Sequence, residues 1–219
     1  MRYITKIMTP VILAVSLVAI AGCDSPSQAQ LASTQIETTS QTPVSSTQTA
    51  RPDVHVWVVD VGASHLKFSA LQEGEPFEGA FKTFTADIKF HPDNLAASSV
   101  TVTVPISGAD AGSTDRNSTL PGKAWFSAKK FPDAVFTATT FKSMGEGAYD
   151  AVGELTIKGI SRELSLPFTL DINGDTAVMS AALEMNRNDW NIGAKPWNTD
   201  EYVSTGVKLD ILVTANVAN

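Results

Sequence analysis

An all-β fold, closed into an antiparallel barrel and crossed by one short helical segment, is what this sequence predicts. Three observations carry the prediction. Apolar residues recur with a period of two in one segment after another, glycine-containing turn pairs separate many of these segments, and the pattern lapses only once, between Gly112 and Phe131. Period two is the signature of strands with one face buried. Many short strands with a single irregular crossover favour closure, because closure leaves no exposed edges.

The first fifty residues stand apart from that pattern. Met1 to Lys6 carries Arg2 and Lys6, and Ile7 to Ala19 is apolar apart from Thr9, Pro10 and Ser16. This reads as a signal segment, residues 1–22, too short and interrupted for a comfortable membrane span. It ends in Ile20-Ala21-Gly22-Cys23, which resembles the lipobox of bacterial lipoproteins, and Cys23 is the only cysteine of the chain. Cys23 is the expected lipidation site; the alternative is a lone buried thiol closing an uncleaved anchor helix. With no second cysteine, a disulfide framework and a Cys-ligated metal are excluded. Asp24 resembles the sorting signal that retains lipoproteins in the inner membrane of enteric bacteria, so the expected address is the periplasmic side of a bacterial envelope.

Residues 23–52 comprise the lipidated cysteine and a Ser-, Thr- and Gln-rich stretch without an aromatic residue. Such a composition buries too little apolar area to offset chain entropy and predicts a tether with a span of roughly 30 Å. All ten Phe and all four Trp lie beyond it, so the folded domain is expected over residues 53–219. Without its signal segment the chain keeps 14 basic and 23 acidic residues, a formal charge of −9. That balance disfavours nucleic acid as a partner and repels anionic headgroups, leaving the acyl chains as the membrane attachment.

Within the domain the strands follow in order. Leu66, Phe68 and Ala70 share one face, as do Val100, Val102, Val104 and Ile106. Between Phe77 and Phe90 the apolar parity moves from odd (Phe77, Phe81) to even (Phe84, Ala86, Ile88, Phe90), predicting a bulge or bend near Lys82-Thr83. Tyr149 to Ile157, Leu164 to Leu170, Ala177 to Met185 and Val207 to Val213 complete eight or nine strands. Gly145-Glu146-Gly147, Lys158-Gly159 and Asn173-Gly174 are the predicted turns. Ser113, Thr114 and Asp115 offer N-caps for one or two helical turns crossing a barrel end, with Trp125 and Phe126 as a lid or a fixed plug.

Catalytic and metal signatures do not assemble. His55, His65 and His91 fall on separate strands without ligand spacing, and Asp171-x-Asn173-x-Asp175 lacks the glycine and glutamate of a calcium loop. No phosphate loop, nucleophile elbow or His-Glu-x-x-His motif is present, and no cofactor is expected. Two charged clusters remain, Asp115-Arg116 and Arg187-Asn188-Asp189. Either Arg116 and Arg187 contact the polar head of a ligand at the barrel mouth, or each pairs locally and pins a loop. Small inward residues (Ala70, Gly79, Ala86, Ala151, Gly153, Ala177, Ala181) favour an internal cavity. The expected lining is Phe68, Phe81, Ile88, Val102, Phe136, Leu155, Leu166, Phe168, Met179 and Leu183.

Several segments are similar, in order, to the YceI-like family of periplasmic lipid-binding proteins. They are Val58-Val59-Asp60 with Ser64-His65-Leu66-Lys67-Phe68, Phe77-Glu78-Gly79-Ala80-Phe81, and Arg116-Asn117 with Leu120. Trp125-Phe126, Lys130-Phe131-Pro132 with Phe136, Gly153-x-Leu155-Thr156-Ile157-Lys158-Gly159-Ile160 and Arg187-x-Asp189-Trp190-x-Ile192-Gly193 follow. The resemblance implies an eight-stranded lipocalin-like barrel that takes a long isoprenoid chain, such as a polyprenyl compound or quinone. It also implies a b-type membrane cytochrome as a possible partner, and it carries over no catalytic residue. The expectation is a membrane-tethered isoprenoid carrier rather than an enzyme. Its rivals are an interaction domain serving a membrane cytochrome or stress-response complex without ligand, and an enzyme using Asp115, Arg116 or Asp189 on a lipid or quinone head.

Overall fold

A computed structural model describes residues 53–218; the expected signal segment, the expected lipidation site Cys23 and the expected tether lie outside the described residues. The described chain forms eight antiparallel staves, three of them broken in two. The first is β1 (His55–Val59) and β2 (His65–Gln72), the second β3 (Glu75–Phe81) and β4 (Thr85–Phe90), the third β5 (Ser99–Pro105) and β6 (Ala109–Asp110). Five unbroken strands follow: β7 (Asp133–Gly145), β8 (Ala148–Ile157), β9 (Ile160–Asn173), β10 (Thr176–Asn186) and β11 (Gly206–Val217). Each stave pairs with the next in sequence. The ring closes where β11 meets both halves of the first stave, with Trp57 opposite Val217 and Phe68 opposite Leu209.

Local chemistry explains the breaks. In the first stave the Asp60 carboxylate accepts from the Gly62 and Ala63 amides, and the Ser64 hydroxyl donates to the Asp60 carbonyl. These bonds hold one 3-10 turn at Val61–Ala63 between the two strands. In the second stave the predicted bend falls at residues 82–84, where the Lys82 amide bonds to the Gly108 carbonyl of the third stave. Phe81 and Phe84 both remain on the inner side, so the change of parity serves a curved wall. A second irregularity lies in β7, where Ala138 pairs with Gly153 but Thr140 with Val152. The extra residue moves the inward parity from Phe136 to Phe141.

Tight turns join the later strands. Glu146-Gly147 and Lys158-Gly159 both have positive φ, as a type I′ hairpin requires. At Gly159 a side chain is doubly excluded, since an added Cβ would stand 2.5 Å from the Phe131 ring. The turn expected at Asn173-Gly174 is displaced by one residue: Asn173 pairs with Thr176, so Gly174-Asp175 makes the bend. Glycine then occupies the first central position at φ 59°, where a type II′ turn needs it.

The crossover between β6 and β7 contains α1 (Thr114–Thr119) followed by turns. It covers the barrel end bounded by the β2–β3 and β8–β9 turns. Phe126 packs edge-on to Phe81 at 6.3 Å. The Ala124 carbonyl accepts from the Gly193 and Ala194 amides and from Lys158 Nζ, which also donates to the Asn191 carbonyl at 2.6 Å. Three donors on one carbonyl make the crossover a fastened cover rather than a loose flap.

Candidate functional site

The barrel interior is the concave feature that the fold builds, and it divides into two cavities. One has a volume of about 200 Å³ and the other about 350 Å³, and Leu66, Val104, Leu155 and Leu209 stand in the walls of both. Together they fall in the ~300–1,000 Å³ range of small-molecule sites. Every lining position read from the sequence borders this space. Ile88, Val102, Phe136, Leu166, Phe168, Met179 and Leu183 face the first cavity, Phe68 and Phe81 the second, and Leu155 both.

Not all the small inward residues create that space. Ala86, Ala151 and Ala177 line the first cavity and Ala70 the second. Gly79 and Gly153 instead let neighbours approach: the Phe68 ring lies over Gly79, and the β7 backbone presses on Gly153. Their missing side chains are already replaced by packing.

The two ends of the interior differ chemically. Away from the crossover the first cavity is stopped by aromatic rings, with Phe90 edge-on to Phe141 at 5.5 Å and to Tyr149 at 5.4 Å. Trp57 closes the same end, its indole N–H donating to the Phe90 carbonyl at 3.1 Å. Among the described lining residues of that cavity, Ser99 supplies the one hydroxyl.

Beneath the crossover, Gln72, Asp115, Arg116 and Thr119 join the wall of the second cavity. Arg116 is half-buried and held in place: Nε donates to the Ala111 carbonyl at 2.8 Å, Nη1 to Gln72 Oε1 at 2.9 Å, and the guanidinium lies 4.6 Å from the centre of the Phe77 ring. Its remaining Nη2 edge has no described hydrogen bond and is available to an acceptor. Asp115 borders the same space, whereas Asp189 is exposed and does not line it. The three groups considered as an acid–base set are therefore not brought together.

Arg187 also borders the second cavity, but its donors are already taken. Only 4% of it is exposed, and it donates to the carbonyls of Ser204, Ile192, Trp197 and Val203 at 2.5–2.9 Å. Of the two roles open to it, pinning a loop is the one the geometry displays. Burial pulls its pKa down from the usual guanidinium range, with the Asp200 charge opposing. Above it lies Trp125, 5.5 Å from ring centroid to guanidinium carbon, whose indole N–H is buried without a partner.

The start of the crossover is organised by Asp110. Its carboxylate accepts from Lys82 Nζ at 2.6 Å, Asn117 Nδ2 at 2.9 Å and the Gly112 amide at 3.0 Å. The Lys82 and Asn117 bonds, with the Gly112 amide, hold its pKa far below the usual carboxylate range. A depressed folded-state pKa gives stability that is present above the unfolded value and lost as pH falls toward the folded one. We therefore expect Asp110→Asn to flatten the acid limb of the stability curve below about pH 4. Unfolding midpoints measured from pH 7 downward test this, and identical slopes in the two proteins would assign the acid sensitivity to other groups.

Gln72 lies outside the lining expected from the sequence, although its position carries the signal. It continues the inward series Leu66, Phe68, Ala70, and a polar side chain at an inward position marks a cavity mouth or a buried network.

Comparison with known proteins agrees with this architecture. A model of the YceI-like domain matches residues 57–215. A UPF0312 protein of Vibrio vulnificus (strain YJ016) is 30% identical over 113 residues, covering 50% of this chain and 60% of that protein. A UPF0312 protein of Yersinia pestis (strain Pestoides F) is 30% identical over 140 residues, 61% of this chain and 69% of that protein. The first of these matches thus spans about 60% of its relative's length. Among solved structures, BcnA of Burkholderia cenocepacia superposes with a TM-score of 0.69 at 32% identity, over 72% of this chain and 99% of that one. A polyisoprenoid-binding domain from Saccharophagus degradans shares the fold, with a TM-score of 0.59 at 14% identity, over 75% of this chain and 99% of that one.

Proposed function

The chain belongs to the YceI-like family, and from that premise we propose that it is a binding protein whose barrel encloses the apolar chain of an isoprenoid lipid or quinone. The observation that carries the reading is the polarity of the interior: an apolar, aromatic-stopped cavity shares walls with a second one whose lining bears Arg116 and Gln72. An apolar chain gains on the order of 25 cal/mol for each Å² it withdraws from water. Its head would sit beside Arg116, whose free edge suits a carbonyl or phosphate oxygen. The fold shared with a polyisoprenoid-binding domain supports the same ligand class.

Lipid on Cys23 would tether this barrel to the periplasmic face of a bacterial membrane, the inner one if Asp24 acts as a sorting signal. A tethered barrel exchanges ligand with its own membrane, and a b-type cytochrome there is a fitting partner for a quinone carrier.

Trp125 and Trp190 line the second cavity and Trp57 the first, so ligand entry reports on itself. Titration with a prenyl-tailed quinone should quench their emission saturably at one equivalent, with a Kd near or below ~1 µM. Linear quenching, equal to that of free tryptophan at the same quinone concentration, would contradict the proposal.

A further inference from the structure

The rim beside the crossover exposes three large apolar side chains together. Leu71 is 45% exposed, Tyr202 40% and Trp197 36%. They come together because the segment after Arg187 is laid along the end of β2: the Leu71 amide donates to Ser204 Oγ, the Ser204 amide to the Leu71 carbonyl, and the Glu73 amide to the Tyr202 carbonyl. From within, Arg187 holds the Trp197 and Val203 carbonyls of the same segment. The rings therefore stand on a fastened base.

Trp197 is continuous with the interior. Its ring lies 5.5 Å from Tyr202 on the outside and 6.4 Å from Trp125 on the inside, and it lines the second cavity. We propose that Leu71, Trp197 and Tyr202 form a membrane-docking rim, which seats the barrel mouth on a zwitterionic bilayer while apolar ligand passes between bilayer and cavity. This rests on the reading of the barrel as a lipid-binding site.

A bilayer is the occupant that the chemistry and the chain length favour. Trp and Tyr pair an apolar body with one polar atom, and that combination is stable at the boundary between headgroups and acyl chains. The described chain begins at Asp53, at the aromatic-stopped end, because β1 pairs with the last residues of β4. The stretch from Asp24 to Pro52 would span roughly 30 Å as a coil and up to about 100 Å extended. A strand of the length of β10 rises about 36 Å, so a barrel held by Cys23 has enough chain to turn its far rim onto the membrane. Within two residues of Leu71, Trp197 and Tyr202, exposed Glu73, Asp200 and Glu201 outweigh Lys195, which selects a zwitterionic over an anionic surface.

Trp197 is the tryptophan on the exposed side and serves as the probe. The lipidated protein is reconstituted with excess phosphatidylcholine vesicles whose acyl chains carry bromine near the headgroup. Rings seated ~5–10 Å into the boundary should lose roughly half of the Trp197 emission relative to unbrominated vesicles. Trp197→Phe should abolish the difference, Leu71→Ser combined with Tyr202→Ser should diminish it severalfold, and anionic lipid should weaken it. Equal emission on brominated and plain vesicles, or quenching that survives Trp197→Phe, would overturn the docking rim. Ligand recovered from a protein that shows no such quenching would remove the rim and leave the binding function standing.

Discussion

Arg187→Met is expected to destabilise the protein by about 3–5 kcal/mol, because four carbonyls lose their donor at about 1–3 kcal/mol each and relaxation recovers part of that cost. The guanidinium organises the segment from Ile192 to Ser204 by donating to carbonyls at both of its ends. Methionine fills similar volume but donates nothing, so those carbonyls would lose their partner in a site that water hardly reaches. Lysine would not restore the site, because one ammonium cannot span the directions that the planar fork covers. Urea unfolding measures the loss, and a change below about 1 kcal/mol would show that the loop holds itself. The same variant should release the Trp197 and Tyr202 rim, since both carbonyls flanking it lose their donor.

The second large effect concerns the apolar lining of the interior. Leu155 lines both cavities, and Met179 faces the first. Leu155→Arg or Met179→Arg places a long charged side chain where an isoprenoid tail would run, and should weaken binding at least ~100-fold, equivalent to about 2.7 kcal/mol. The charge can reach solvent only by snorkelling along the space that the ligand would fill. Retained near-UV circular dichroism would show that the barrel persists. Ligand recovery unchanged in such folded variants would remove these two residues from the binding site.

Much of this arrangement was legible in the sequence because strands write their burial with a period of two. The inner faces from Leu66 to Ala70 and from Ala177 to Met185 follow the alternation without interruption. The parity change between Phe81 and Phe84 located the break in the second stave. The same signal stood between Phe136 and Phe141, where the β7 irregularity falls, but a single displaced phenylalanine is easily taken for a strand end. The displaced Gly174-Asp175 turn was harder, since Asn-Gly is a strong turn pair and only strand pairing decides its register.

The arginines show where local sequence stops being informative. Arg116 and Arg187 each stand near an acidic residue and an apolar run, and nothing nearby separates their fates. The difference arises from carbonyls far along the chain: Arg187 meets those of Trp197 and Val203, while Arg116 meets Gln72 and keeps one edge free. Small residues raise the same problem. Ala151 opens onto the cavity, but Gly79 and Gly153 are filled by a ring and a neighbouring strand, which only the closed barrel brings into place.

Mass spectrometry of an organic extract of the protein, purified from its native host, tests the central claim most directly. The wild-type protein should yield a prenyl-chain compound in near-stoichiometric amount, and a folded Leu155→Arg variant should yield none. Background membrane lipid alone, at the same level in both proteins, would contradict the assignment of the barrel as an isoprenoid-binding site.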